Sequence, residues 1–156
     1  MRLFRSSPIF AVALSTLILT AIAHAAAPDP KAAIVARQEG FKKMGAAMKA
    51  LKAQLATDAP DKPIMAAAAA TIRDIARNQG PLFPAGSGTE AGIKTDALPA
   101  IWTDKAKFDS DMAALVDESG KLVMTVDGGD KDAIAAQTKA VGGACASCHH
   151  QFRQDT

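Results

Sequence analysis

The chain has 156 residues, 18 Lys+Arg against 16 Asp+Glu, 49% hydrophobic residues, 22% charged residues and only 4% aromatics. That length suits one domain with a processed leader, the proportions exclude a disordered chain, and a net charge of +2 is too small for a nucleic-acid binder. Abundant alanine, one tryptophan and no tyrosine point to helices, because strands are normally filled with β-branched and aromatic residues.

Residues 1–25 read as a cleaved secretory signal. Arg2 and Arg5 give a positive start, Ile9 to Ile22 is apolar apart from Ser15, Thr16 and Thr20, and Ala23-His24-Ala25 has the small-x-small form of a cleavage site. The apolar run falls short of the ~20 residues that a membrane-spanning helix needs. Residues 26–156 are therefore expected in the periplasm, with no membrane anchor after cleavage. Both excess positive charges leave with the leader, so the remainder is close to neutral. A basic, nucleic-acid-binding surface is not expected.

Four segments follow with apolar residues at alternating spacings of three and four, the pattern of a helix with one buried stripe. The first carries Ile34, Arg37, Phe41, Met44, Met48, Leu51 and Leu55, and the second Met65, Ala68, Ile72, Ile75 and Gln79. The third carries Phe108, Met112, Leu115, Ser119, Leu122 and Val126, and the fourth Ile134, Thr138, Val141, Cys145, Cys148 and Phe152. Asp58 to Pro63 separates the first two, with Asp61 as cap and Pro63 in a first turn. Asp127-Gly128-Gly129-Asp130 separates the last two, with Asp130 as cap. A longer Gly/Pro-rich crossover, Gly80 to Pro99, lies between. Two short connections and one crossover predict an all-α, antiparallel up-down-up-down four-helix bundle over residues 26–156.

Outside the leader the only cysteines are in Cys145-Ala146-Ser147-Cys148-His149. This C-x-x-C-H run is the pattern of covalent haem c attachment. Residues three apart lie one turn apart on a helix, so both thiols reach one porphyrin edge, and His149 is placed as the axial iron ligand. Both cysteines sit on the buried stripe, so the haem is expected inside the bundle. A redox dithiol normally follows a strand, and none is visible. Zinc would need further ligands, and His150 is the only other histidine after the leader; it points about 100° away from His149, as a surface residue.

Arg37 is a guanidinium on an apolar seam, which costs several kcal/mol unless an anion meets it. It can snorkel, with its head in water, or it can meet a haem propionate, and the haem motif favours the propionate.

These residues resemble the cytochrome c′ family over nearly the whole of residues 26–156. The resemblance rests on Arg37-Gln38-x-x-Phe41-Lys42-x-Met44-Gly45, on Leu82-Phe83-Pro84 with Gly88-Thr89-Glu90, on Pro99-x-Ile101-Trp102 opening the third helix, and on Val141-Gly142-x-x-Cys145-x-x-Cys148-His149 with Arg153. It implies that Arg37 and Gln38 lie near the propionates, that Thr89 and Glu90 border the haem, with Asp96 as a further contact, and that Arg153 stands beside the proximal His149. It places Phe41 over the open face of the iron. Phenylalanine has no donor atom, so the implied haem is five-coordinate and high-spin. In the related low-spin cytochromes c-556 a methionine at that position is a sixth ligand; Met44 or Met48 would give the corresponding alternative here. The resemblance further implies a homodimer, with one-electron transfer or binding of small neutral gases such as NO and CO. A peroxidase-like enzyme would need a distal acid/base group, and the first segment offers none beside Phe41.

Overall fold

The computed structural model describes residues 29–154, and the expected leader lies outside the described residues. Each long helix begins where a side-chain oxygen satisfies a backbone N–H that would otherwise lack a partner. α1 (Pro30–Leu55) starts with Asp29 accepting from Ala32 N at 2.9 Å, and Pro30 fills a position where no N–H is needed. α2 (Lys62–Gln79) starts on Asp61, which accepts from Ile64 N at 3.0 Å, and runs on into one 3₁₀ turn, Gly80–Leu82. The capping expected at Asp61 is thus observed.

The third segment differs from expectation. Pro99-x-Ile101-Trp102 does not open the long third helix but forms a separate turn, α3 (Ala100–Thr103), ahead of α4 (Lys105–Gly128). The break is Asp104, whose backbone leaves helical geometry at φ −118° and ψ 56° while its carboxylate caps Lys107 N at 3.4 Å. Trp102 holds α3 aside, its indole Nε1 donating to the carbonyls of Phe83 at 3.2 Å and Pro84 at 3.1 Å. α4 ends at Gly129, whose φ of 79° is left-handed and suits glycine. α5 (Lys131–Phe152) starts on the expected cap, Asp130, which accepts from Ala133 N at 2.8 Å.

The four long helices form an antiparallel up-down-up-down bundle. α1 packs on α2, α2 on α4, and α4 on α5, while α1 and α5 meet only lightly. Two lysines mark the antiparallel order. Lys62 at the start of α2 donates to Asp127 O at the end of α4 (2.7 Å), and Lys131 at the start of α5 donates to Thr57 O just past α1 (2.6 Å). The main core joins Leu51, Ile72, Leu122, Val126, Ile134 and Val141, all 0% exposed. Alanines 68, 69 and 76 keep α2 slim, and Gly40 of α1 lets Gln79 cross close by: a Cβ there would lie 1.9 Å from Gln79 Nε2. A smaller cluster, Ile101, Phe108, Met112 and Phe152, lies at the crossover end. Among the described residues no helix is long and apolar enough to cross a membrane.

The core sets a first prediction. Leu122 is fully buried and Met124, two residues away, is 67% exposed. Leu122→Ala should cost about 2–5 kcal/mol in guanidinium unfolding of the holoprotein, and Met124→Ala about 0.5 kcal/mol or less. Equal losses would contradict this placement of α4.

Candidate functional site

The light contact between α1 and α5 leaves a cavity of about 640 Å³, inside the ~300–1,000 Å³ range of ligand pockets. α1, α4, α5 and the end of the crossover line it. Glycines thin two of the walls, Gly45 on α1 and Gly142 on α5. The chain has four phenylalanines after residue 25, and all of them line this cavity. They touch in sequence across it: Phe41 to Phe83 at 6.4 Å between ring centroids, Phe83 to Phe108 at 4.8 Å, and Phe108 to Phe152 at 5.4 Å. The last two pairs are edge-to-face, a favoured aromatic geometry.

Cys145, Cys148 and His149 all line the cavity from α5. Both cysteines are free and half-buried. Burial pushes the Cys145 thiol up, and it pushes Cys148 to about 11, with the Asp111 carboxylate and Cys145 adding to the effect. Redox dithiols work by a lowered thiol pKa, so the opposite shift disfavours that chemistry here. Among the described residues no three His, Cys, Asp or Glu side chains converge as a metal-binding group, which leaves zinc without a ligand set. His149 is exposed at the cavity rim, and desolvation, then the Arg153 guanidinium, lower its pKa, which favours the neutral imidazole that can ligate. His150 is exposed and does not line the cavity. A largely apolar, aromatic slot with two thiols and an imidazole along one wall fits covalently held haem c.

Arg37 does not snorkel. It is 2% exposed, and its four Nη protons go to four protein acceptors. Nη1 donates to Leu82 O at 3.2 Å and Ser87 Oγ at 2.8 Å, and Nη2 to Ser87 O at 2.7 Å and Thr95 Oγ1 at 2.9 Å. The guanidinium also lies 4.5 Å over the Phe83 ring. Only its Nε–H is left for any carboxylate in the cavity. Gln38 lines the cavity too, its amide donating to Lys94 O at 2.8 Å.

Thr89 and Glu90 are not brought to the cavity. They occupy an exposed 3₁₀ turn, Thr89–Ala91, where Glu90 Oε1 accepts from Gly88 N at 3.2 Å. Crossover residues at the cavity are instead Phe83, Thr95, Asp96 and Ala97. The cause is tethering at both sides of the turn: Arg37 holds residues 82–87 and Thr95, and the chain end holds 96–98. Ala97 bridges Arg153, Gln154 N donates to Asp96 O at 2.8 Å, and Leu98 N to Phe152 O at 3.0 Å. Residues 89–91 bulge outward between these ties. Arg153 lies 3.8 Å from the Asp96 carboxylate.

Asp111 on α4 is a cavity residue that sequence reasoning missed. It is 7% exposed; Oδ1 accepts from Lys107 and, at 3.4 Å, from Ser147 Oγ, while Oδ2 is buried with no partner. Its spacing held the signal, three after Phe108 and four before Leu115, one residue off the seam through Met112. Phe41, Met44 and Met48 all line the cavity from α1.

With this geometry in place, comparison with known proteins finds cytochromes c′ and also, at 34% identity over 121 residues covering 76% of this chain and 95% of the relative, a cytochrome c-556 of Agrobacterium tumefaciens. A family model described as Cytochrome C' matches residues 32–153. The chain is 35% identical over 144 residues to a cytochrome c′ of Rhodospirillum rubrum, covering 92% of this chain and 95% of the relative. It is 38% identical over 121 residues to one of Rhodopseudomonas palustris, covering 77% and 80%. Among solved structures, cytochrome c′ from Thermochromatium tepidum is similar with a TM-score of 0.78 and 26% identity, covering 83% of this chain and all of that one. A cytochrome c′ described as having ligand-controlled dimer dissociation also has a TM-score of 0.78, at 27% identity over 83% and 100%. The nitric oxide complex of a mutant cytochrome c′ from Alcaligenes xylosoxidans has a TM-score of 0.72 at 27% identity, covering 81% and 97%.

The Arg37 cluster yields a second prediction. Arg37→Met strands two carbonyls and two hydroxyls, so it should cost at least about 2 kcal/mol, and Thr95→Val about 1 kcal/mol. Limited proteolysis of the Arg37→Met holoprotein should cut first within residues 83–99. Resistance there, with unchanged stability, would show that the guanidinium does not hold the crossover.

Proposed function

The chain belongs to the cytochrome c′ family, and from that membership we propose a periplasmic electron-transfer and gas-binding haem protein, not an enzyme, with its haem c held by Cys145, Cys148 and His149. The observation that carries this reading is an aromatic cavity lined by both cysteines and the histidine on one wall and by Phe41 on another. Haem c, when bound there, supplies an iron that changes oxidation state by one electron and can take a small axial ligand.

The residues divide the remaining work. Cys145 and Cys148 would fix the group covalently, and His149 would ligate its iron, with Arg153 beside it. Phe41 has no donor atom and would give the iron no second protein ligand, which is the five-coordinate, high-spin reading. Its ring, with Met44 and Met48 nearby, offers anions and polar ligands no hydrogen bond, so small neutral gases such as NO and CO are favoured. The nitric oxide complex of the Alcaligenes xylosoxidans relative supports extending gas binding to this chain. No histidine or carboxylate of α1 lines the cavity beside Phe41, which disfavours peroxidase chemistry. The dimer described for one structural relative supports a homodimer here. The leader pattern of residues 1–25 supports export.

A second reading has its own observation: Met44 and Met48 also line the cavity, so either thioether could be a sixth ligand, as in cytochromes c-556. The optical spectrum of the purified protein decides between them. A high-spin ferrous spectrum is expected, and Phe41→Ala should speed CO binding. A sharp low-spin α-band with a methionine–iron charge-transfer band would establish the second reading instead.

Buried Asp111 beside Cys148, paired with the exposed Lys107, gives a further prediction. A buried negative charge near the haem favours the ferric state. Asp111→Asn should raise the reduction potential and Lys107→Met should lower it, each by on the order of 1 kcal/mol in redox free energy. Shifts of the same sign, or none, would remove the pair from redox tuning.

A further inference from the structure

Charge is spread far less evenly than the near-neutral total suggests. α1 carries six basic side chains, Lys31, Arg37, Lys42, Lys43, Lys49 and Lys52, against one acid, Glu39. Arg37 is buried in its crossover bonds, and Lys43 pairs with Glu39 at 3.8 Å. Lys31, Lys42, Lys49 and Lys52 are exposed and have no ion-pair partner among the described residues. At ~100° per residue, the four fall within about 80° of one another, so they form one stripe along the helix.

The stripe borders the cavity, since Lys42 and Lys52 line it. The acids of the same rim are already occupied, Asp111 by Lys107 and Asp96 by Arg153. The contrast with α4 is informative: each of its three lysines, Lys105, Lys107 and Lys121, pairs with an acid within one turn. Positive charge is therefore left uncompensated at the side of the molecule where the cavity opens. Such a field attracts anionic partners and orients them during encounter. An anionic membrane is the weaker candidate, because a surface-binding helix needs a free apolar face and that of α1 is buried in the bundle.

We propose that Lys31, Lys42, Lys49 and Lys52 form the docking surface for an acidic one-electron redox protein, steering its negative patch onto the mouth of the haem cavity. The proposal rests on the electron-transfer part of the reading above. One electron passes between the partner's redox centre and the bound haem, one being oxidised as the other is reduced, with no bond made or broken.

The test uses the ferrous holoprotein in stopped flow, oxidised by ferricyanide, a trianion, or by tris(phenanthroline)cobalt(III), a trication. The ferricyanide rate should fall roughly tenfold from low to high salt, the cobalt rate should not fall, and polyglutamate should slow ferricyanide oxidation at low salt. Lys31→Glu/Lys49→Glu, which leaves the cavity lining intact, should lower the ferricyanide rate several-fold and raise the cobalt rate. Arg77→Glu/Lys139→Glu makes the same change in net charge on exposed faces of α2 and α5, away from the cavity, and should change neither rate by as much. Equal effects of the two double variants, salt-independent rates, or co-sedimentation with phosphatidylglycerol vesicles lost on Lys31→Glu/Lys49→Glu would overturn the docking proposal. A ferrous protein that neither reagent oxidises would instead overturn the electron-transfer reading itself.

Discussion

One buried cation organises this molecule. A guanidinium inside an apolar bundle is tolerated only where acceptors replace the water it has lost, and Arg37 finds four of them in the crossover. The same bonds decide the course of the longest irregular segment in the described chain. They draw Leu82, Ser87 and Thr95 onto α1, with the Phe83 ring beneath the guanidinium. With the crossover held there and at residues 96–98, one end of the bundle is closed over Phe108 and Phe152, and the cavity keeps a defined wall. Stability and function share this cluster, because loss of the guanidinium frees the wall on which the cofactor packs.

The cavity is itself a compromise with the core. A bundle this rich in alanine brings its helices close, and α1, α2 and α4 do approach closely. α1 and α5 do not, and large aromatic rings collect where they part. The scarcity of aromatics in the chain is thus local in its effect: nearly every ring it has after residue 25 is committed to one site. A flat porphyrin supplies the large core group that the side chains of α1 and α5 do not. Partial burial raises the pKa of both thiols, and desolvation with the Arg153 charge lowers that of His149; both shifts favour the neutral forms and suit thioether attachment and iron ligation rather than disulfide exchange.

Charge enters the site in two layers. Close to Cys148, the buried Asp111 carboxylate, paired with Lys107 at the surface, sets a negative charge at the cavity wall. Farther out, the unpaired lysines of α1 set the field that an approaching molecule meets. The inner pair bears on the energy of the electron and the outer stripe on which partner delivers it, so reduction potential and partner choice can vary separately.

The fold class, the four long helices, the caps at Asp61 and Asp130 and the Cys145-x-x-Cys148-His149 motif were all legible in the sequence. Each depends on spacing within a few residues, where helical periodicity and capping chemistry act. The break at Asp104 was hidden because the helical pattern on either side is sound, and only the hold of the crossover on Trp102 turns α3 away. Arg37 stood out by residue type, but its partners lie 45 to 58 positions away along the chain. Thr89 and Glu90 were placed by motif resemblance alone, and a loop tied at both ends can carry such residues outward with the motif intact. Asp111 becomes a cavity residue only when α4 meets α5 and Ser147 comes within reach. The chain by itself determined its four long helices, the caps of α2 and α5 and a motif suited to holding haem; tertiary contact alone decided where the third long helix starts and which polar groups face the cavity, because burial and pairing between distant segments leave no local periodic trace.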